Sequence, residues 1–201
     1  MQELLIISGM SGSGKTIALR TLEDLDYYCV DNLPIEMLAQ FVQHIGLKKN
    51  DYPKVSVGID IRNSEALLKE LPEIIKGFDS QIINTKVVFL DSNDKTLLNR
   101  YSETRRAHPL SNKKHNYSLT EAIKQERLLL QGLINSADIL IDTSDTTAPQ
   151  LRDKIWRQVR QSDEGKLSLL LQSFAFKRGV PFDADFVFDA RCLPNPFWEK
   201  S

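Results

Sequence analysis

Residues 9–16 of this chain are Gly9-Met10-Ser11-Gly12-Ser13-Gly14-Lys15-Thr16. This segment, the phosphate loop, fits the pattern G-x-x-x-x-G-K-[ST], whose glycines let successive backbone N–H groups turn toward an anion. The apolar residues before it, Leu4-Leu5-Ile6-Ile7, predict a buried parallel strand. Apolar spacing after it predicts a helix that begins inside the loop and directs its positive N-terminus at the same anion. These patterns predict a strand–loop–helix unit that binds a nucleoside triphosphate.

Two residues at the end of the phosphate loop carry its expected chemistry. We expect Lys15 to contact the terminal phosphates as a point charge and to stabilise their charge during turnover. The Thr16 hydroxyl is expected to take one coordination position on Mg²⁺. We expect every residue of the loop, from Gly9 to Thr16 inclusive, to contribute to nucleotide binding. A Gly/Ser turn without a ligand is the alternative, and the flanking strand and helix argue against it.

The composition excludes several classes of protein. The chain has 201 residues, 41% hydrophobic and 26% charged, which predicts a soluble domain with a substantial core. Its net charge of −1 provides no overall basic field, so we expect any RNA contact to be local. The apolar runs are too short for a membrane span or an export signal. Two distant cysteines, Cys29 and Cys192, form no disulfide framework or metal motif, which favours a cytoplasmic protein.

Strands and helices alternate over residues 1–161, which we expect to form one nucleotide-binding domain. Further strands are predicted over residues 27–30, 55–61, 86–91 and 139–142. Helices are predicted over residues 34–46, 64–76, 92–101, 118–136 and 149–161, with an interruption at Pro72 and a capping box at Ser118. The alternation favours an α/β fold of the P-loop NTPase type, a kinase-like parallel sheet with helices on both faces.

Acidic residues stand at the ends of four predicted strands: Asp31, Asp60, Asp91 and Asp142. Because ligands bind at the carboxyl ends of parallel strands, we expect these carboxylates to surround the phosphates, although each alone could be a turn or cap residue. Kinase-like sheets place their metal-binding acid on the third strand, and this analogy selects Asp60 to hold Mg²⁺ with Thr16, directly or through water. Asp91 is then expected to cap the helix that follows it.

A polar stretch between two predicted helices carries basic residues: Arg100, Arg105, Arg106, His108, Lys113, Lys114 and His115. Small-molecule kinases have an arginine-bearing lid at this point, which clamps phosphates in the transition state and excludes water. We therefore expect Arg105 or Arg106 to close over the phosphates as catalytic groups. A solvated basic loop is the alternative.

The character of the chain changes after residue 161. Residues 162–166 are predicted to be a polar linker, and residues 167–201 the incomplete start of a C-terminal domain with strands over 167–176 and 186–189. The last aromatic residues, in Pro194-Asn195-Pro196-Phe197-Trp198, have nothing after them to cover them. We therefore expect the second domain to be truncated rather than docked on a partner.

Segments from one end of the chain to the other carry a more specific resemblance. Besides the phosphate loop, they are Tyr27-Tyr28-Cys29-Val30-Asp31-Asn32-Leu33-Pro34, Glu103-Thr104-Arg105-Arg106-Ala107-His108-Pro109-Leu110, Ile141-Asp142-Thr143-Ser144 and Phe188-Asp189-Ala190-Arg191-Cys192-Leu193-Pro194-Asn195-Pro196. In this order they resemble the signatures of the RapZ/YvcJ nucleotide-binding family. The Asp-Asn-Leu-Pro and Leu-Pro-Asn-Pro segments are the most particular to it. The departures are mild: Ala107 replaces a common arginine and Ala175 a common glycine.

This resemblance implies a kinase-like N-terminal domain with ATPase and GTPase activity. Within it, Asp60-Ile61-Arg62-Asn63 matches the segment that the family assigns to GTP. The resemblance also implies a C-terminal domain that, in the RNase-adapter branch, binds a small regulatory RNA, an amino-sugar phosphate and a ribonuclease. We therefore expect ATP or GTP with Mg²⁺ as the cofactors, slow hydrolysis that regulates a partner in RNA metabolism, and a homo-oligomer.

Two other functions stay open at this point. A small-molecule kinase would use Asp31 as a base or positioning group near an acceptor hydroxyl. A binding module would keep the nucleotide as a structural or sensory ligand. The guanine-reading motif Asn-Lys-x-Asp of switch GTPases is not matched, because residues 112–115 are Asn-Lys-Lys-His. Phosphotransfer, acceptor-free hydrolysis and binding without turnover would tell the three functions apart.

Overall fold

A computed structural model of the chain describes residues 2–111, 117–160, 174–178 and 186–189. The chain divides into two compact units, Met1–Glu164 and Gly165–Ser201. Within the described ranges, none of the helices combines the length and the apolar composition that crossing a membrane requires.

The first unit is built on a parallel sheet. Its strands are β1 (Gln2–Gly9), β2 (Tyr28–Val30), β3 (Lys54–Gly58), β4 (Ile83–Asp91) and β5 (Ile139–Asp142), in the spatial order β2-β3-β1-β4-β5. The described strand pairs are all parallel. The phosphate loop therefore leaves the sheet at its centre, where β1 ends between its neighbours β3 and β4.

Helices cover both faces of this sheet. They are α1 (Lys15–Glu23), α2 (Ile35–Leu47), α3 (Glu65–Lys76), α4 (Asp94–Thr104), α5 (Leu119–Leu129), α6 (Gln131–Ser136) and α7 (Ala148–Arg160). Alternate residues of a strand point to opposite faces, so Leu4 and Ile6 pack with the helices α2 to α6, and Leu5 and Ile7 pack with α1 and α7. The predicted α/β architecture with two covered faces is confirmed.

Some helix predictions need correction. The predicted interruption at Pro72 is wrong: α3 continues through it, because Leu68 and Leu71 are buried in the core beside it and outweigh the backbone hydrogen bond that proline cannot make. The predicted helix over 118–136 is two helices, α5 and α6, separated at Leu130, where the backbone leaves the helical region. The capping box between Ser118 and Glu121 at the start of α5 is confirmed.

The predicted role of Asp91 is wrong as well. Asn93 caps α4, because its side chain accepts a hydrogen bond from the Thr96 N–H at 2.8 Å. Both Asp91 carboxylate oxygens accept from Arg127 of α5, each at 2.9 Å, and the same guanidinium donates to Asp94 at 3.0 Å. A hydrogen bond between a guanidinium and a carboxylate is stronger than one from a neutral N–H, so Asp91 joins α5 to the end of β4.

The second unit departs from its predicted strands where it is described. Phe176–Arg178 form a 3-10 turn, and residues 174–175 and 186–189 have no regular secondary structure. The strand predictions are therefore wrong at these positions. The linker at 162–166, the rest of the predicted strand over 167–176 and the Leu-Pro-Asn-Pro segment lie outside the described residues.

Candidate phosphate-binding site

The glycines of the phosphate loop satisfy its backbone geometry. Gly12 and Gly14 have φ angles of 89° and 108°, in the left-handed region that side chains with a Cβ disfavour. A Cβ on Gly14 would also lie 2.5 Å from Cδ2 of Leu151, a residue of α7. Gly14 therefore meets two separate demands, the turn into α1 and the close approach of α7.

The backbone N–H groups of the loop divide into two sets. Met10 N–H donates to the Leu90 carbonyl at 3.1 Å, and Ser13 N–H donates to the Met10 carbonyl at 3.0 Å. Four others donate to no group among the described residues, those of Gly12, Gly14, Lys15 and Thr16. The last two lie in the first turn of α1, where the helix itself provides no acceptor. Free donors at a helix N-terminus are an anion-binding arrangement.

Lys15 folds back over the same loop. Its ammonium donates to the carbonyls of Gly9 at 2.6 Å and Met10 at 3.2 Å. Burial lowers the pKa of Lys15, and the carboxylates of Glu126, Asp60 and Asp31 oppose this shift in that order. In the part of the chain that the structure describes, no carboxylate forms an ion pair with Lys15. A desolvated ammonium bound to neutral carbonyls can exchange them for phosphate oxygens.

The segment from Asp60 to Asn63 forms a turn directly after β3. The buried Asp60 carboxylate accepts from the Arg62 N–H at 2.9 Å and from its guanidinium at 3.0 Å. Asn63 accepts from the N–H of Ile35 at 2.8 Å, which ties the turn to α2, and Ile61 is buried. The structure thus brings Asp60 within electrostatic range of Lys15 and uses Asn63 to hold the turn.

The other strand-end acids face different partners. Asp31 is exposed, and its charge opposes the lowering of the Lys15 pKa. Asp142 is also exposed, and hydrogen bonds from the hydroxyl and the N–H of Ser144 hold its pKa below the usual range. Because Arg127 engages Asp91, the expected convergence of four carboxylates on the phosphates is wrong for Asp91, and for Asp142 it stays a prediction.

The basic residues expected in a lid have separate positions. Arg100 lies inside α4, and its guanidinium donates to the Gly12 carbonyl at 3.0 Å, the Thr143 carbonyl at 2.6 Å and the Thr143 hydroxyl at 3.2 Å. It is therefore a brace beneath the phosphate loop and not part of a lid. Arg105 ends α4 with a φ of 52°, and the Arg105 and Arg106 side chains are exposed. Residues 112–116, with the remaining lysines, lie outside the described ranges.

A buried cluster that the sequence reasoning missed adjoins the loop. Glu126 of α5 accepts from the Ser11 N–H and hydroxyl, and His108 lies 2.9 Å from the same carboxylate. These three residues are called the Glu126 cluster. The helical spacing of buried positions Ala122, Ile123, Glu126 and Leu130 could have revealed it, since it places one acid on an otherwise apolar face.

A parallel sheet with a phosphate loop after its central strand defines a P-loop protein of the kinase-like fold. Solved structures share this fold. A shikimate kinase from Bacteroides thetaiotaomicron matches with a TM-score of 0.50 and 14% identity, covering 79% of this chain and 97% of that one. The tunicamycin resistance protein of Deinococcus radiodurans matches with a TM-score of 0.53 and 16% identity, covering 79% and 96%. At these identities the likeness shows the fold alone.

Sequence comparison identifies the family. A relative in Nitrosococcus oceani, described as a nucleotide-binding protein, is 49% identical over 197 residues, which are 98% of this chain and 68% of the relative. The RapZ-like N-terminal domain family matches residues 2–163, and the RapZ C-terminal domain family matches residues 167–201. The chain therefore belongs to the RapZ family, as the resemblance predicted.

The brace beneath the loop can be tested with Arg100→Lys. Lysine keeps the charge but cannot reach several acceptors with one planar fork, so we expect the free energy of unfolding to fall by about 1–2 kcal/mol. Arg105→Lys is the matched control, since that side chain is exposed, and should change stability by less than about 0.5 kcal/mol. Urea denaturation measures both. Equal losses in the two variants would contradict the brace.

Proposed function

We propose that residues 1–161 bind ATP or GTP with Mg²⁺ and hydrolyse it slowly. The observation that carries this proposal is the set of phosphate-loop N–H groups that have no acceptor among the described residues, beside the Lys15 ammonium, which donates to two loop carbonyls. A triphosphate supplies the acceptors that these donors lack. The description of relatives at 48–49% identity as nucleotide-binding proteins supports the same conclusion.

The donor set at the loop fits Mg²⁺. Mg²⁺ prefers oxygen ligands and usually takes one or two from the protein, with phosphates and waters completing the octahedron. The Thr16 hydroxyl and the Asp60 carboxylate are such ligands, and Asp60 keeps free lone pairs beyond those that Arg62 occupies. Within the described residues, no group of three or more His, Cys, Asp or Glu could hold a metal, and a site of this kind needs none. When bound, Mg²⁺ neutralises phosphate charge.

Three side chains have roles in turnover under this proposal. Lys15 stabilises the charge of the terminal phosphates. Arg105 and Arg106 stand exposed where α4 ends, and they close over the phosphates when a nucleotide is bound. Asp60-Ile61-Arg62-Asn63 contributes to nucleotide binding through Asp60, while Asn63 holds the segment against α2.

The purpose of this turnover is regulatory in our proposal. Residues 162–166 link the nucleotide-binding domain to residues 167–201, the start of the C-terminal domain, which the family comparison supports. Through that domain the protein acts as an RNase adapter that binds a small regulatory RNA and a ribonuclease, as the family resemblance implies. A homo-oligomer and a cytoplasmic location complete the proposal.

One observation favours a small-molecule kinase as the second candidate. A Cβ on Gly58 would lie 2.8 Å from Oδ1 of Asp31, so this carboxylate stands against the end of β3. The charge of Asp31 also acts on the pKa of Lys15, so the two groups are within electrostatic range of each other. An exposed acid beside the phosphates could accept the proton of an acceptor hydroxyl. Phosphate transfer to a metabolite from cell extract would favour this candidate over acceptor-free hydrolysis.

Lys15→Ala tests the phosphate assignment. The variant should stay folded, because the two bonds that the Lys15 ammonium donates go to carbonyls of the loop itself. Loss of one charge-assisted phosphate contact costs about 1.5–3 kcal/mol, which weakens the Kd for triphosphate by roughly 10- to 150-fold. Lys69→Ala is the control, because Lys69 is an exposed lysine paired with Glu65 on α3. Calorimetric titration measures the Kd values, and undiminished affinity in folded Lys15→Ala would rule the assignment out.

The double variant Arg105→Ala/Arg106→Ala separates a lid from an RNA contact. If the arginines stabilise transition-state charge, kcat for ATP and GTP falls at least about tenfold. RNA affinity should change little, because a chain of net charge −1 neutralises few RNA phosphates. Lys48→Ala/Lys49→Ala, which removes two exposed lysines after α2, is the matched control. Unchanged kcat with a flatter salt dependence of RNA affinity would make this segment an RNA contact instead.

A further inference from the structure

The Glu126 and His108 side chains have no part in the functions proposed above. Both carboxylate oxygens of Glu126 accept from the Ser11 N–H, at 3.0 and 3.1 Å, and one also accepts from the Ser11 hydroxyl at 2.7 Å. The side chains of Glu126 and His108 are 0% exposed. A charged group is costly to bury, so this carboxylate is held by bonds that compensate for its desolvation.

The hydrogen bonds assign the state of His108. The N–H of Leu110 donates to Nδ1 of His108 at 3.1 Å, so Nδ1 is an acceptor. A neutral imidazole then carries its hydrogen on Nε2, which donates to the Glu126 carboxylate at 2.9 Å. The ring cannot take the other tautomer without losing the bond to Leu110. An ionised Glu126 and a neutral His108 therefore satisfy each other.

The Glu126 cluster adds a third N–H group to those of the loop that are bound within the protein. The N–H groups of Met10 and Ser13 donate to backbone carbonyls, and the Glu126 carboxylate accepts from the N–H of Ser11, which lies between these two residues in the loop. With these three donors bound inside the protein, the free donors that follow are held in place before any ligand arrives. Binding then costs less ordering of the loop.

Two further contacts connect the cluster to the site. Glu126 is the carboxylate that most strongly opposes the lowering of the Lys15 pKa, so it helps to keep that side chain charged. Tyr101 lies beside His108, with ring centroids 5.3 Å apart. Burial raises the pKa of Tyr101 to about 12, and the charge of Glu126 adds to the rise, so this neighbour stays neutral.

We propose that Glu126 and His108 are positioning residues for the phosphate loop. Glu126 fixes the peptide of Ser11, and His108 joins the loop to the arginine-bearing segment that begins at Arg105. The role in ligand binding rests on the triphosphate function proposed above. The role in holding the loop does not, since these bonds form without a ligand.

The test uses Glu126→Gln with Glu121→Gln as the matched control. The amide that replaces the carboxylate keeps one acceptor oxygen. With its NH₂ toward His108 it opposes the Nε2–H donor, and with its NH₂ toward Ser11 it opposes the Ser11 N–H, which then keeps one acceptor instead of two. We expect the KM for ATP to rise about tenfold with kcat within twofold, because ground-state and transition-state binding weaken together. Glutamine preserves the exposed capping box at position 121, so the control should keep both values.

A second variant tests whether the hydrogen bond itself, and not a general loss of stability, changes KM. In Glu126→Gln/His108→Gln, the carbonyl of the new residue at 108 can accept from the amide at 126. We expect this restored bond to return KM to within about threefold of wild type. All assays are run well below the thermal midpoint of each variant, so that loss of folded protein does not enter KM.

Amide hydrogen exchange of Ser11 in the ligand-free protein completes the test. Exchange should be slow in wild type and at least tenfold faster in Glu126→Gln, with rescue in the double variant. Unchanged exchange and unchanged KM in Glu126→Gln would overturn the proposal, as would an equal loss in Glu121→Gln. If wild type binds no triphosphate, the proposed function fails, while the exchange comparison still decides whether Glu126 holds the loop.

Discussion

The pairing of β1 with both β3 and β4 places the phosphate loop, and the rest of the site depends on it. Ile6 lies beside Val57 on one side and Val87 on the other, so the end of β1 cannot move without disturbing two ladders. The N–H of Met10 adds a further restraint, because it donates to the carbonyl of Leu90. The loop therefore begins from the most restrained point of the sheet, and α1 and α7 close around its last glycine.

Polar groups at this point have two kinds of partner. Some are bound inside the protein: Arg100 holds the carbonyl of Gly12, Thr143 donates to the carbonyl of Ser13, and Glu126 holds Ser11. The N–H groups of Gly12, Gly14, Lys15 and Thr16 have no acceptor among the residues that the structure describes. This division explains how a glycine-rich loop can keep one shape while leaving several N–H groups for an anion.

Local patterns in the sequence were sufficient for the sheet, the loop and most helices. Hydrophobic periodicity marked the strands, and the capping box at Ser118 marked the start of α5. The errors at the site itself come from partners distant along the chain. Asp91 meets Arg127, 36 residues away, and Glu126 meets Ser11, 115 residues away. A sequence pattern shows that a residue can cap or pair, but only the tertiary fold decides which partner reaches it.

The central claim is that the free N–H groups of the phosphate loop are the triphosphate site, and amide NMR tests it most directly. In a titration with MgATP or MgGTP, the largest amide shifts should be those of Gly12, Gly14, Lys15 and Thr16, with Ser11 changing less because Glu126 keeps its N–H. Shifts centred elsewhere, for example on the groove between α2 and α3 at Leu47 and Phe78, with the loop unchanged, would contradict the account.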